Sequence, residues 1–148
     1  MKIIQATIDH LDVLVPLFDG YRVFYKQPSN IKKAEQFLKE RLLKKESILF
    51  IAFDDNSNAM GFTQLYPIFS SVSMRRLHVL NDLYVDSTFR SKGIGQALLE
   101  YTKEYIVTIN GKGLVLETAK DNPAQHLYER LGWKLDSGTL HYTWENMN

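Results

Sequence analysis

The eight residues F-R-S-K-G-I-G-Q (89–96) constrain this chain more than any other stretch. A β-like run, H-V-L-N-D-L-Y-V (78–85), leads into them, and I-G-Q-A-L-L-E-Y-T-K-E-Y-I (94–106) continues with apolar residues at helical spacing. Two glycines one residue apart let the backbone approach a ligand with no Cβ in the way. Consecutive N–H groups at a helix start, helped by the positive end of the helix dipole, form a cradle for an anion. Strand, glycine loop, helix and a following strand also make a β-α-β crossover, which joins parallel strands.

The remaining segments fill in around that unit. K-I-I-Q-A-T-I (2–8) reads as a first strand. From Asp9 the residues Leu11, Leu14, Val15, Phe18, Tyr21 and Tyr25 recur at helical spacing, and Pro16 is expected to kink or split that helix. Q-P-S-N (27–30) is a break, after which Ser29 or Asn30 caps a second helix carrying Ala34, Phe37, Leu38, Arg41 and Leu42. S-I-L-F-I-A-F (47–53) and G-F-T-Q-L-Y-P-I-F (61–69) form a hairpin across a polar turn, with Pro67 at a bulge or an edge. G-L-V-L-E-T (113–118) is the next strand. A helix from Asp121 or Asn122, with Pro123 near its first turn, ends at Gly132 as a left-handed terminator. T-L-H-Y-T-W-E (139–145) alternates as a final strand. The order β-α-α-β-β-β-α-β-α-β describes a mixed α/β sheet, antiparallel in its first half, within a single domain over 1–148.

Composition removes several kinds of chemistry. There is no cysteine, so disulfides, thiolate metal sites and a cysteine nucleophile are excluded, and a reducing, cytoplasmic setting is expected. With 18 basic and 17 acidic residues there is no basic excess for holding nucleic acid. No stretch approaches the roughly 18 consecutive apolar residues of a membrane span, and the first ten residues are too broken to read as a signal peptide. His10, His78, His126 and His141 share no metal-ligand spacing, so no metal is expected.

Which phosphate the loop would hold depends on its spacing. A Walker loop requires Gly-Lys-Ser/Thr where Leu98 and its neighbours stand. A Rossmann fingerprint also fails at Leu98, although Glu117 sits where a ribose-binding acid belongs. That loop normally follows the first strand of a doubly wound sheet, and here an antiparallel half precedes it.

Arg90, Gly93 and Gly95 match the pattern Q/R-x-x-G-x-G/A, N-D-L-Y-V-D (81–86) precedes them, and G-Q-A-L-L-E-Y (95–101) follows. Further on stands D-N-P-A-Q-H-L-Y-E-R-L-G-W (121–133). On these residues the chain resembles the GNAT superfamily of N-acetyltransferases, nearest to its small-molecule, polyamine and histone–polyamine group. The resemblance implies an α/β GNAT fold: a mixed, mostly antiparallel sheet of about seven strands flanked by about four helices and splayed between two parallel central strands. It implies acetyl-CoA as cosubstrate and no metal. The activity implied is transfer of an acetyl group to a primary amine of a polyamine-, amino-acid- or aminoglycoside-like molecule or a peptide. With no cysteine to form an acetyl-enzyme, direct attack in a ternary complex is expected. A non-catalytic acyl-CoA sensor on the same fold and a dinucleotide-binding protein are the alternatives.

Residue by residue, the resemblance assigns the pyrophosphate to Arg90, Ser91, Lys92, Gly93, Ile94, Gly95 and Gln96. It assigns the pantetheine arm to the backbone of Leu83, Tyr84 and Val85, and makes Tyr128 the general acid. Asn122 contacts the CoA arm or caps its helix. Polyamine enzymes carry an acidic pair on the central strand, and the corresponding residues are Asn81 and Asp82. Asp82 is the candidate base or amine anchor, and Glu117 is held in reserve. Simple alternation sends Asn81 and Asp82 to opposite faces. Tyr21, Phe24 and Tyr25 read as core by their near-helical spacing, and the resemblance makes Arg22 and Tyr25 alternative candidates to line the acceptor side. The expected partners are an amine substrate and a second copy in a homodimer, for which 139–145 has the character of an open edge.

Overall fold

One long hairpin organises the computed structural model, which describes residues 1–147. Its strands are β3 (Ala59–Ser70) and β4 (Arg75–Val85), paired from Gly61 with Val85 to Ser70 with Arg75. β1 (Lys2–Gln5) and β2 (Ile48–Phe53) extend the sheet beside β3, each antiparallel to its neighbour. β5 (Leu114–Val115) pairs parallel to β4, giving the order β1-β2-β3-β4-β5. The β4–β5 ladder holds only His78 with Leu114 and Val79 with Val115. Among the described residues no strand pairs with β4 on that side from Leu80 to Val85, so that edge is unpaired beyond the end of the parallel ladder.

These strands form because their residues can be buried on both faces. I-L-F-I-A-F in β2 is an apolar run with a helix on each side of the sheet. On one face α1 (Leu11–Phe24) and α2 (Ile31–Leu43) pack Leu14, Phe18 and Leu38 against Leu49, Ile51 and Phe62. On the other, Phe50 sets its ring edge-on to Tyr101 and Tyr105 of α3 (Ile94–Thr108). Each such buried ring is worth about 1.5–3 kcal/mol over leaving it in water. Asp19 joins α1 to α2: its carboxylate accepts from Ser29 Oγ at 2.7 Å and Asn30 N at 2.8 Å, and Asn30 in turn caps α2 through Lys33 N. Those bonds hold the Asp19 carboxyl below the usual carboxylate range, the Ser29 hydroxyl first among them.

The chain divides into two compact units, Met1–Glu117 and the part from Thr118 onward. In the second, α4 (Ala124–Arg130) ends at Gly132, whose φ of 86° is the expected left-handed stop. Pro123 stands at the cap position directly before Ala124, near the first turn as expected.

Several expectations are corrected. Among the described residues the sheet has five strands, not about seven. The expected strand over 139–145 is not formed, and Leu140, Tyr142 and Trp144 are exposed. Alternation supplies a period but not a neighbour's backbone, and a strand needs both. β5 covers two residues of the 113–118 run for the same reason. Pro16 neither ends nor splits α1. It lies on the exposed side, where water reaches the carbonyl that its missing N–H leaves free. Pro67 sits where β3 has outrun β2, whose pairing ends at Leu65, so its edge reading holds.

Candidate functional site

The β3–β4 ladder slips once. Gln64 pairs with Asp82 and Leu65 with Leu80, which leaves Asn81 as the extra residue of a β-bulge. A bulge breaks strict alternation, and this overturns the expectation that Asn81 and Asp82 face opposite ways. Asn81 Nδ2 donates to Asp82 Oδ1 at 2.7 Å, while Gln64 Nε2 donates to Asp82 Oδ2 from across the ladder. Asp82 is 1% exposed, so these bonds are made out of water. Burial pushes its carboxyl above the ordinary value, and the bonds from Asn81 and Gln64 pull the other way.

Two phenols accompany this carboxylate. The Tyr21 hydroxyl donates to the Asn81 carbonyl at 3.2 Å, taking the backbone group that the bulge leaves outside the ladder. Tyr21 and Tyr66 are both held above the ordinary phenol range, by burial first and then by the Asp82 charge. Neither Tyr21, Tyr66 nor Gln64 was selected from the sequence. Tyr21 reads there as one apolar position of α1, next to Tyr25 at i+4. The available signal was Thr63-Gln64, two consecutive polar residues in the buried first half of an otherwise apolar run.

β4 runs on into the glycine loop. Asp86 closes a 3₁₀ turn over Ser87–Phe89 by accepting from Thr88 N at 2.9 Å and Thr88 Oγ1 at 2.7 Å. Arg90 turns back over the rings of Phe24 and Tyr84, at 5.4 and 5.9 Å, and its Nε donates to Val85 O. Ser91 (φ 62°) and Gly93 (φ 77°) take left-handed conformations and wind the chain into α3. Gly93 occupies the cap position with no side chain bonding the first N–H groups of the helix, and a Cβ built there would meet nothing within 4 Å. Ser91, Lys92 and Gln96 are exposed, Gly95 is half-buried, and Ile94 is anchored in the core at 3% exposure. Uncapped N–H groups beside an unpaired strand edge fit a phosphorylated, amide-bearing ligand such as a coenzyme A.

Leu83, Tyr84 and Val85 are half-buried on the part of β4 that has outrun β5. The Tyr84 ring lies so close to α1 that a Cβ on Gly20 would stand 2.8 Å from its hydroxyl. Tyr25 is exposed at the end of α1, edge-on to Tyr21 at 5.0 Å. Arg22 Nη1 donates to Pro28 O at 3.3 Å and so braces the loop into α2. Glu117 is exposed at the end of the first unit.

In the second unit the Asn122 side-chain oxygen accepts from Ala124 N at 2.9 Å, which makes it a cap for α4. Tyr128 is half-buried, with its ring 5.9 Å from that of Trp133, and its carbonyl accepts from Leu131 N and Trp133 N. Among the described residues no group of three or more His, Asp or Glu could hold a metal ion. No described helix is long and apolar enough to cross a membrane.

The geometry agrees with what the chain is similar to. A family described as acetyltransferase (GNAT) matches residues 14–133. An uncharacterized N-acetyltransferase of Bacillus subtilis, YhfO, is 46% identical over 143 residues, 96% of this chain and 95% of that one. A probable acetyltransferase of Haemophilus influenzae is 34% identical, covering 92% of each chain. The crystal structure of a probable acetyltransferase superposes with a TM-score of 0.95 at 38% identity, over 100% of this chain and 99% of the other.

Proposed function

The chain belongs to the acetyltransferase (GNAT) family, and on that premise we propose that it acetylates a primary amine by direct attack in a ternary complex. The amine belongs to a polyamine-, amino-acid- or aminoglycoside-like molecule or to a peptide. The family uses acetyl-CoA as cosubstrate, which supplies the acyl group as a thioester. Residues 1–148 are read as one N-acetyltransferase domain, acting in the cytoplasm as a homodimer.

The observation that carries this reading is the join between β4 and α3. An unpaired strand edge (Leu80–Val85) runs straight into an uncapped helix start (Gly93). Arg90, Ser91, Lys92, Gly93, Ile94, Gly95 and Gln96 hold the pyrophosphate, mainly through N–H groups. The backbone of Leu83, Tyr84 and Val85 pairs with the pantetheine amides. One amide of that edge faces the thioester carbonyl, where a donor of this kind contributes about 2.7–4 kcal/mol. Asn122 supports the CoA arm while its oxygen caps α4. Tyr25, Arg22 and Glu117 border the amine.

Four changes balance the reaction. The ammonium gives one proton to the side of Asp82, its nitrogen bonds the acetyl carbon, the carbon–sulfur bond breaks while the leaving thiolate takes a proton from Tyr128, and the second proton shed by the new amide nitrogen returns to the Tyr128 phenolate. The Tyr128 assignment rests on the signature from Asn122 to Trp133. A phenol with a reference pKa near 10 carries its proton at neutral pH.

A thiol-release assay across amine classes, run beside thermal shift with acetyl-CoA, tests the proposal. The expected result is stabilisation by acetyl-CoA and thiol release only with an accepted amine. Stabilisation without thiol release from any amine class would leave an acyl-CoA sensor instead.

A further inference from the structure

Asp82 is too enclosed to meet a substrate itself. It is buried, and both carboxylate oxygens already accept a bond, Oδ1 from Asn81 Nδ2 at 2.7 Å and Oδ2 from Gln64 Nε2. Among the described residues it has no ion-pair partner. A buried charge without a counter-ion is costly, and two neutral amide donors replace only part of the water it has lost.

Asn81, the next residue along the strand, is the opposite case. As the extra residue of the bulge it is exposed, although its neighbours Leu80 and Asp82 are both buried. Its backbone carbonyl accepts from the Tyr21 hydroxyl at 3.2 Å, and the Tyr21 ring is braced edge-on by Tyr25 at 5.0 Å and Phe62 at 6.1 Å. Its side-chain nitrogen donates to Asp82. A primary amide has one donating end and one accepting end, and an ionised carboxylate takes only the donating one. Asp82 therefore fixes which way round the Asn81 amide stands, and the end left for a ligand is the oxygen.

We propose that Asn81 Oδ1 anchors the acceptor amine by accepting one N–H of its ammonium group, with Asp82 as the positioning residue behind it. This rests on the reading that the amine reacts beside Asp82. The locked amide offers an acceptor and no donor, which suits an N–H group and turns away carboxylates and phosphates. The Asp82 charge lies one amide further in, and across a dry interior it favours a cation over a neutral donor. The bulge also sets the anchor on the part of β4 that has outrun β5, the edge along which the cosubstrate is proposed to lie. An ammonium held by one N–H keeps its other N–H bonds for the proton that must leave before attack.

The test pairs a change in the protein with a change in the ligand. The primary amine that gives most thiol release, and its trimethylammonium analogue, are titrated by calorimetry into protein saturated with CoA, so that nothing turns over. The analogue keeps the charge and loses every N–H. The native protein is expected to bind the amine about tenfold more tightly than the analogue, the scale of one hydrogen bond to a charged group. In Asn81→Ala that preference should vanish, with melting temperature and CoA affinity kept. In Asp82→Asn it should shrink, because a neutral partner no longer fixes the amide. Asn81→Leu, which keeps the volume without either polar end, takes over should the alanine variant not fold. A preference that survives in Asn81→Ala overturns the anchor and leaves the acetyltransferase reading standing. A loss confined to kcat, with amine affinity intact, overturns it too and makes Asn81 only a prop for Asp82. If no amine class releases thiol from acetyl-CoA, the acetyltransferase reading itself fails and the anchor falls with it.

Discussion

The two edges of β4 are built to opposite ends. Toward β3 the strand is paired along almost its whole length, from Val85 opposite Gly61 to Arg75 opposite Ser70, with a single slip at Asn81. Toward β5 it is paired only at His78 and Val79. The first edge fixes where every side chain of β4 points, including the carboxylate of Asp82 against Gln64. The second leaves main-chain groups for another molecule. One strand can therefore hold a buried carboxylate and keep an open edge at once, because its pairing is drawn almost entirely from one side.

The comparison breaks most severely if the paired side loses its packing. Phe62→Ala, at 0% exposure on β3 opposite Tyr84, is expected to cost about 3–5 kcal/mol, read by chemical denaturation. A loss much below that would mean that the hairpin is not the main source of stability. Tyr128→Phe belongs to neither edge and sharpens the contrast. A drop in kcat of about 10²-fold is expected with melting temperature and acetyl-CoA affinity unchanged, and an unchanged kcat would remove Tyr128 as proton donor.

Gly93→Val acts on the open side. Its left-handed φ costs a side-chain-bearing residue about 1–2 kcal/mol, visible in the melting curve. Acetyl-CoA affinity, measured by calorimetry, should weaken about tenfold, equal to about 1.4 kcal/mol. Unchanged affinity would detach the loop from the cosubstrate.

The smallest effect is expected at His78, where the short parallel ladder starts. Burial holds its imidazole below the ordinary value, with Arg76 adding to this, and neither ring nitrogen has a partner. The unfolded chain titrates near the reference value of about 6.5. The stability tied to neutral His78 is therefore full above that value and is lost as pH falls through it toward the lower folded one. His78→Phe should flatten the fall in melting temperature between pH 7 and pH 5. An identical slope in both proteins would show that another group controls acid sensitivity.

What the sequence revealed follows the range of the forces involved. The cap at Gly93, the stop at Gly132 and the cap by Asn30 are local, and local residues betray them. The hairpin partner of β2 and the crossover at the loop were equally plain, because periodicity and turn residues mark them. The bulge at Asn81 was not, since it exists only in the pairing of β3 with β4, and so simple alternation misjudged how Asn81 and Asp82 face relative to each other. Tyr21 looked like core because its ring is core; only its oxygen, set 3.2 Å from a distant carbonyl, shows otherwise. The run 139–145 shows the reverse error, in which a good pattern found no partner.

The short β4–β5 ladder has a consequence for the protein in concentrated solution. Free N–H and C=O groups along a strand will accept any extended chain, including one from a second copy. Here the exposure is brief, from Leu80 to Val85, broken near one end by the bulge and closed at the other by the Asp86 turn. Those six residues are also where the cosubstrate is proposed to lie. A ligand in that groove would therefore protect solubility, and the bare protein would be the form most inclined to self-associate.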